Sequence, residues 1–180
     1  MTIYPVETGN FKLDGGAMFG VVPKSIWNRT NPADNNNMID LGARCLLVED
    51  GDKLILIDTG LGNKQSEKFF SYYYLWGDHS LDGSLKKLGF HRDDITDVFM
   101  THLHFDHCGG CTRLDRAGNL VPTFPKASYY VQRDCWEDAS NPNERCVASH
   151  RSENFRPIEE RGQIELVDGD AEIFPGLNVM

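Results

Sequence analysis

The sequence predicts a mixed α/β fold, in which some strands pair as hairpins and others alternate with helices. Two apolar runs at residues 43–48 and 53–57 flank the polar sequence EDGD, a pattern typical of a β-hairpin. Leucines recur on one face of residues 81–88, which indicates an amphipathic helix. The short apolar segment 97–100 leads into a histidine-rich stretch and indicates a further strand.

The remaining elements follow from local composition. Residues 1–13 alternate loosely between apolar and polar side chains and predict a first strand. Residues 14–37 are rich in glycine, proline and asparagine and predict a loop. Ser80 is expected to cap the helix at 81–88, and Gly89 to end it. Later expected elements are a strand at 127–132, a short helix at 133–139, an irregular stretch at 140–157 and strands at 163–167 and 171–174.

Size and composition limit the classes of function. The 180 residues suit a single domain spanning residues 1–180. The net charge of −9 argues against a nucleic-acid partner, which requires a cationic surface. No apolar run is long enough to cross a membrane, and the first ten residues lack the features of a signal peptide. The five irregularly spaced cysteines are expected to be reduced thiols, so we expect a cytoplasmic protein.

The stretch THLHFDHCGG at residues 101–110 is the strongest functional signal, because it holds three of the six histidines of the chain. His102 and His104 are two residues apart, so on an extended segment they project to the same side. Asp106 and His107 follow where two glycines make a turn easy. Nitrogen and carboxylate donors together suit zinc, with iron or manganese as substitutes. The alternative is a polar loop without a metal.

This HxHxDH motif resembles that of the metallo-β-lactamase superfamily, and Asp58-Thr59-Gly60 matches another early motif of the same family. Residues 14–24 resemble the N-terminal signature of one branch, the quorum-quenching N-acyl-homoserine-lactone lactonases. Residues 121–126 and the region of Asn141-Pro142 are similar to that branch too. The resemblance implies a four-layer αβ/βα sandwich built on two sheets.

The resemblance also implies a ligand set. His102 and His104 would bind a first divalent ion. Asp106 and His107 would bind a second. Asp58 would support the ligand loop by hydrogen bonds, although an aspartate that merely ends a strand in a turn is the alternative. The two ions, zinc or else iron or manganese, would share a bridging hydroxide that attacks a lactone or ester carbonyl.

In this scheme Asp106 could also relay a proton to the departing alkoxide, and the resemblance makes Met18 and Phe19 candidates for the substrate pocket. The expected partner is a small lactone or ester, and a homodimer is compatible with the sequence. Three alternatives stay open: a hydrolase of phosphodiesters, aryl esters or glyoxalase II-like thioesters, a non-catalytic fragment, and a subunit completed by a partner.

Three further ligands of the superfamily, a histidine, a bridging aspartate and a last histidine, have no counterpart before Met180. The expectation is therefore the N-terminal two thirds of the family domain, with the fold incomplete at its C-terminus. His150 follows His107 in the sequence, but its surroundings do not resemble the ligand motif.

Two other patterns have more than one interpretation. The CxxC at residues 108–111 could be a zinc or redox site, but simple packing is favoured. The aromatic run at residues 69–76 is expected to be core or a dimer contact rather than a lid over substrate.

Overall fold

One six-stranded mixed β-sheet organises the molecule, of which a computed structural model describes residues 1–180. The first three strands are antiparallel and the rest are parallel, which confirms the predicted mixed sheet. In spatial order the strands are β1 (Thr2–Asp14), β2 (Met38–Asp50), β3 (Lys53–Ile57), β4 (Asp97–Met100), β7 (Ser128–Gln132) and β8 (Ile164–Val167). Two small ribbons pair β5 (Thr112–Leu114) with β6 (Leu120–Pro122), and β9 (Ala171–Phe174) with β10 (Leu177–Val179).

The predicted hairpin is confirmed, because β2 and β3 pair in register from Leu46↔Ile57 to Asp50↔Lys53. Gly51 in its turn has φ +62°, a left-handed conformation that favours glycine. Strand β2 is longer than the apolar run 43–48 because it also pairs with β1 along almost its whole length. A register shift between Glu7 and Gly9 interrupts that second pairing.

The helices are short, and most of them lie in the connections between strands. The predicted helix is confirmed as α4: the Ser80 Oγ accepts a hydrogen bond from the Gly83 N–H at 3.2 Å, and Gly89 follows its end at φ +88°. None of the helices is long and apolar enough to cross a membrane. The helices are α1 (Gly15–Phe19), α2 (Lys24–Trp27), α3 (Glu67–Ser71), α4 (Leu81–Lys87), α5 (Phe105–Cys108), α6 (Arg133–Ser140) and α7 (Arg156–Glu160).

Two stretches predicted to be irregular contain helices. Residues 14–37 form α1 and α2, and residues 140–157 include the start of α7. The first of these helices forms because the Asp14 side chain accepts a hydrogen bond from the Ala17 N–H at 2.7 Å. Helices of four or five residues give too little periodicity to predict.

The main hydrophobic core covers one face of the sheet. It contains 19 buried residues, among them Leu47, Leu56 and Tyr129 from the strands and Leu85 and Ile158 from helices. Burial of this apolar surface is the principal stabilising contribution.

A second, smaller cluster of Phe11, Ala43, Leu61 and Phe105 lies beside the histidine-rich stretch. Only some side chains of the aromatic run at residues 69–76 pack against this cluster. Phe69 and Tyr73 pack with their ring centroids 5.6 and 4.6 Å from that of Phe105. Tyr72 and Trp76 are instead exposed, at 60% and 48%, so the expectation of a core segment holds for only part of the run.

Candidate metal centre

The histidine loop, residues 101–107, begins where β4 ends. Strand β4 lies parallel to β3, so both strands end at the same edge of the sheet. The Asp58 N–H, just past the end of β3, donates to the Phe99 carbonyl at 2.9 Å. The topology therefore places Asp58 against the start of the histidine loop, although 43 residues separate Asp58 from Thr101 in sequence.

Asp58 is buried and binds both ends of the histidine loop. Its Oδ1 accepts hydrogen bonds from the Thr101 N–H at 2.9 Å and the Thr101 hydroxyl at 3.0 Å. Its Oδ2 lies 2.7 Å from the His107 Nδ1. Asp58 itself has φ +59°, an uncommon conformation for a residue other than glycine. Such strain is retained where the surroundings over-determine it, and here three hydrogen bonds do so.

The four predicted donors form one cluster around this aspartate. The ring centroids of His102 and His107 are 4.0 Å apart, and those of His102 and His104 are 4.6 Å apart. The Asp106 Oδ2 lies 3.5 Å from the His107 Nε2. All four side chains are partly exposed, so the cluster opens to solvent.

The pKa shifts differ in direction among the three histidines of the cluster. Burial lowers the pKa of His102, and the neighbouring His107 and His104 lower it further. Burial and nearby His150 lower the pKa of His104. Burial also acts to lower the pKa of His107, but the hydrogen bond to Asp58 and the charge of Asp106 outweigh it, so this pKa is raised. The lowered pKa values of His102 and His104 favour the neutral imidazole that metal ligation requires.

The donor chemistry fits divalent ions. Imidazole nitrogens and a carboxylate suit zinc, and Asp58 occupies the His107 Nδ1 so that the Nε2 stays available. No group of three or more histidine, cysteine, aspartate or glutamate side chains is arranged to hold one ion. The expected pairs, His102 with His104 and Asp106 with His107, therefore stay a prediction.

His150 lies beside the cluster. The sequence gives no sign of this contact, because the residues around His150 do not resemble a ligand motif. Its ring centroid is 4.8 Å from that of His104, and its Nδ1 is 3.2 Å from the Leu103 carbonyl. The preceding Ser149 carbonyl accepts a hydrogen bond from the Phe105 N–H at 2.9 Å. The separation of 47 positions between Leu103 and His150 left no local signal for this contact.

A cavity of about 250 Å³, the site cavity, contains Asp58, Asp106 and His107 in its wall. Half of its lining residues are hydrophobic. Met18 is one of them, so the structure places this predicted pocket residue beside the cluster. Phe19 does not line the cavity. It stacks on Trp27 with ring centroids 5.0 Å apart and an interplanar angle of 12°.

The CxxC cysteines are packing residues, as favoured from the sequence. Cys108 and Cys111 are free thiols and buried, and the Cys108 Sγ donates to the Leu103 carbonyl at 3.4 Å. Burial raises the pKa of Cys111 to about 12 and that of Cys108 well above its ordinary value. Neither thiol is therefore a reactive thiolate.

The fold and the histidine loop agree with comparisons to known proteins. Residues 39–178 match the model of the metallo-beta-lactamase superfamily, and the chain belongs to that superfamily. The chain is similar to the crystal structure of a probable metal-dependent hydrolase from Staphylococcus aureus, with a TM-score of 0.88 and 34% identity over 98% of this chain and 62% of that one. The resemblance seen in the sequence and the predicted fold are thereby confirmed.

Lactonases are among the relatives at lower identity. An N-acyl homoserine lactonase from Bacillus thuringiensis is 26% identical over 156 residues, which are 79% of this chain and 54% of the relative. The structure of AidC, a dizinc quorum-quenching lactonase, has a TM-score of 0.68 and 22% identity over 96% of this chain and 60% of that one. The chain thus spans about half the length of the curated relatives it matches.

Proposed function

We propose that this chain carries the metal-binding loop of a metal-dependent hydrolase that opens a lactone or ester, in particular an N-acyl-homoserine-lactone-like substrate. The observation that carries the proposal is the cluster of His102, His104 and His107 at the sheet edge, with one ring held by Asp58. Catalytic metal ligands need this kind of support from a neighbouring carboxylate.

The ligand roles follow the pairing of donors. His102 and His104 would hold one divalent ion, and Asp106 and His107 would hold a second. Zinc is the expected metal, with iron or manganese as alternatives. When bound, such ions supply an activated water at neutral pH and polarise a carbonyl oxygen.

The residues of the chain would perform the remaining tasks. A proton on the His107 Nδ1, which lies 2.7 Å from the Asp58 Oδ2, would leave Nε2 as the metal donor. Asp106 lies in the wall of the site cavity, where its carboxylate would accept a proton from the attacking water and then deliver it to the departing alkoxide. The apolar wall, including Met18, would contact an acyl chain.

The names of the relatives support a lactone as the substrate. One structural neighbour is an N-acyl homoserine lactone hydrolase with the product N-hexanoyl-L-homoserine bound at its catalytic metal centre, at 23% identity. Phosphodiesters, aryl esters and glyoxalase II-like thioesters are the alternative substrate class for the same loop. The five free cysteines favour a cytoplasmic location, and the exposed Tyr72 and Trp76 favour a homodimer contact.

One observation favours a non-catalytic alternative. Because no three donors are arranged around one point, the chain could bind metal weakly without turning over substrate. Metal content alone does not separate weak binding from catalysis, so a substrate assay is needed as well.

A substrate panel with matched variants tests the proposal. The zinc-loaded chain would be assayed with N-hexanoyl-homoserine lactone, a phosphodiester, an aryl ester and a thioester. We expect lactone hydrolysis that is abolished by His104→Ala and retained by His79→Ala, which removes an exposed loop histidine. Lactone hydrolysis that survives both chelation and His104→Ala would overturn the proposal. Absence of any turnover would favour the non-catalytic alternative.

A further inference from the structure

The site cavity lies where strand β3 ends beside strand β2. The two strands pair only as far as Leu46↔Ile57, so the N-terminal part of β2 has no strand partner on that side. Residues 41–45 of that part line the cavity, together with Asp58 and Gly60 from the segment that follows β3. The cavity is therefore a gap at the edge of β2, next to the histidine loop.

The backbone of β2 turns hydrogen-bonding groups towards this gap. Two opposed residues of an antiparallel pair either bond to each other or both direct their N–H and C=O groups away from each other. Asn10 of β1 is opposed to Gly42, and its carbonyl accepts a hydrogen bond from the Trp76 N–H at 3.1 Å, on the side away from β2. Gly42 therefore directs its own N–H and C=O groups away from β1. Because this direction alternates along a strand, Arg44 does the same.

Three further observations agree with a free edge at this point. Pro5, which is opposed to Leu46, has no N–H, and Leu46 is paired with β3 instead, as the same alternation requires. Neither Gly42 nor Arg44 takes part in a backbone hydrogen bond of a turn or loop. Gly42 is exposed, and because it has no side chain, its exposed surface is backbone. The Gly42 carbonyl is thus open to a ligand in the site cavity.

We propose that this free edge of β2 binds an amide group of the substrate, whose N–H donates to the Gly42 carbonyl. Strand edges recognise peptide groups through such main-chain hydrogen bonds. The inference rests on the proposed function and narrows its substrate class to lactones or esters that carry an N-acyl group. A phosphodiester or a simple aryl ester has no N–H to offer the Gly42 carbonyl.

The position of the free edge matches that of the proposed chemistry. Asp106 and His107 line the same cavity as Gly42, so an amide at β2 and a carbonyl at the histidine loop can belong to one substrate. Half of the lining residues are hydrophobic, and the volume of about 250 Å³ suits a small molecule. The apolar part of the wall would contact the acyl chain beside the amide.

Calorimetric titration of two matched ligands into the zinc-equilibrated chain tests the inference. The first ligand is the cyclopentanone analogue of N-hexanoyl-homoserine lactone, which keeps the amide but has no lactone bond to hydrolyse. The second carries a CH₂ group in place of the amide N–H. We expect the amide analogue to bind about three- to tenfold more tightly, as one added hydrogen bond implies. Equal affinities, or no binding of the amide analogue, would overturn the inference.

A selective NMR label locates the contact. Glycine precedes alanine only at Gly16-Ala17 and Gly42-Ala43, so a chain with ¹³C-carbonyl glycine and ¹⁵N-alanine gives one signal for each of these two carbonyls. The amide analogue should move the Gly42 signal downfield. The Gly16 carbonyl is the control, because it already accepts from the Gly20 N–H at 2.9 Å and lies outside the cavity wall. A Gly42 signal that stays in place at saturation would also overturn the inference.

Turnover of N-hexanoyl-homoserine lactone, assayed separately, tests the proposed function. Amide-dependent binding by a chain without turnover would sustain this inference and count against the proposed function. Turnover by a chain that binds both analogues equally would do the reverse.

Discussion

The Oδ2 of Asp58 lies 2.7 Å from the Nδ1 of His107, while the Oδ1 of the same carboxylate accepts a hydrogen bond from the Thr101 N–H. One buried side chain thus fixes both ends of the histidine loop. We expect Asp58→Ala to lower zinc affinity about 10- to 100-fold, because it frees the His107 ring and leaves Thr101 unpaired. Asp52→Ala, in the exposed hairpin turn, is the control. Zinc affinity is measured by competition with a chelating dye. An unchanged affinity in Asp58→Ala would show that Asp58 does not support the metal-binding loop.

His150 should act as a positioning residue for His104, because the two ring centroids are 4.8 Å apart and its Nδ1 contacts the Leu103 carbonyl. We expect His150→Ala to weaken zinc binding by about tenfold, less than His104→Ala. His150→Asn, whose side-chain N–H can still donate to Leu103, should recover part of the loss. His91→Ala, which alters an exposed histidine, is the control. Equal zinc affinities in all of these variants would count against the role.

Beside the histidine loop, the backbone at Gly109 passes so close to the backbone at Leu61 that no side chain fits between them. A Cβ on Gly109 would lie 2.1 Å from the Leu61 carbonyl oxygen. We expect Gly109→Ala to destabilise the protein by about 1–3 kcal/mol, the usual cost of overpacking a backbone contact. Gly42→Ala is the matched control, because its Cβ would meet only the Asn10 Oδ1 at 3.6 Å. Similar urea midpoints for the two variants would show that this close contact can relax.

Lys64 makes stability depend on pH in the alkaline range. Its ammonium donates to the Gly109 carbonyl, and burial lowers the pKa of Lys64 to about 8 from 10.5. The unfolded chain therefore binds more protons than the folded one between these values, so stability due to this group rises with pH across that window. We expect the wild type to gain free energy of unfolding relative to Lys64→Met between pH 8 and pH 10. Lys68→Met, at an exposed position, should show no such change, and a pH-independent difference for Lys64→Met would refute the shift.

The parts of the fold that could be predicted are those with local signals. The β2–β3 hairpin and α4 have clear turn, cap and periodicity patterns, and both form as expected. The clustering of His102, His104 and His107 was also expected, because the motif places these rings within one turn.

The features that escaped prediction depend on contacts between distant segments. Helix α1 is held by a cap and by a backbone bond from the Gly15 N–H to the Asn37 carbonyl at 2.7 Å, which no five-residue window reveals. The approach of His150 to His104 closes a long loop in the same way. Met18 and Phe19 are neighbours in sequence, yet only Met18 lines the site cavity, because Phe19 stacks on Trp27.

The central claim is that the histidine loop binds divalent cations, and metal content measures this most directly. Elemental analysis of the zinc-equilibrated, desalted chain should give about two ions per molecule. The double variant His102→Ala/Asp106→Ala, which removes one donor from each pair, should give essentially none. A wild-type chain that retains no metal, or a double variant that retains as much as the wild type, would contradict the account.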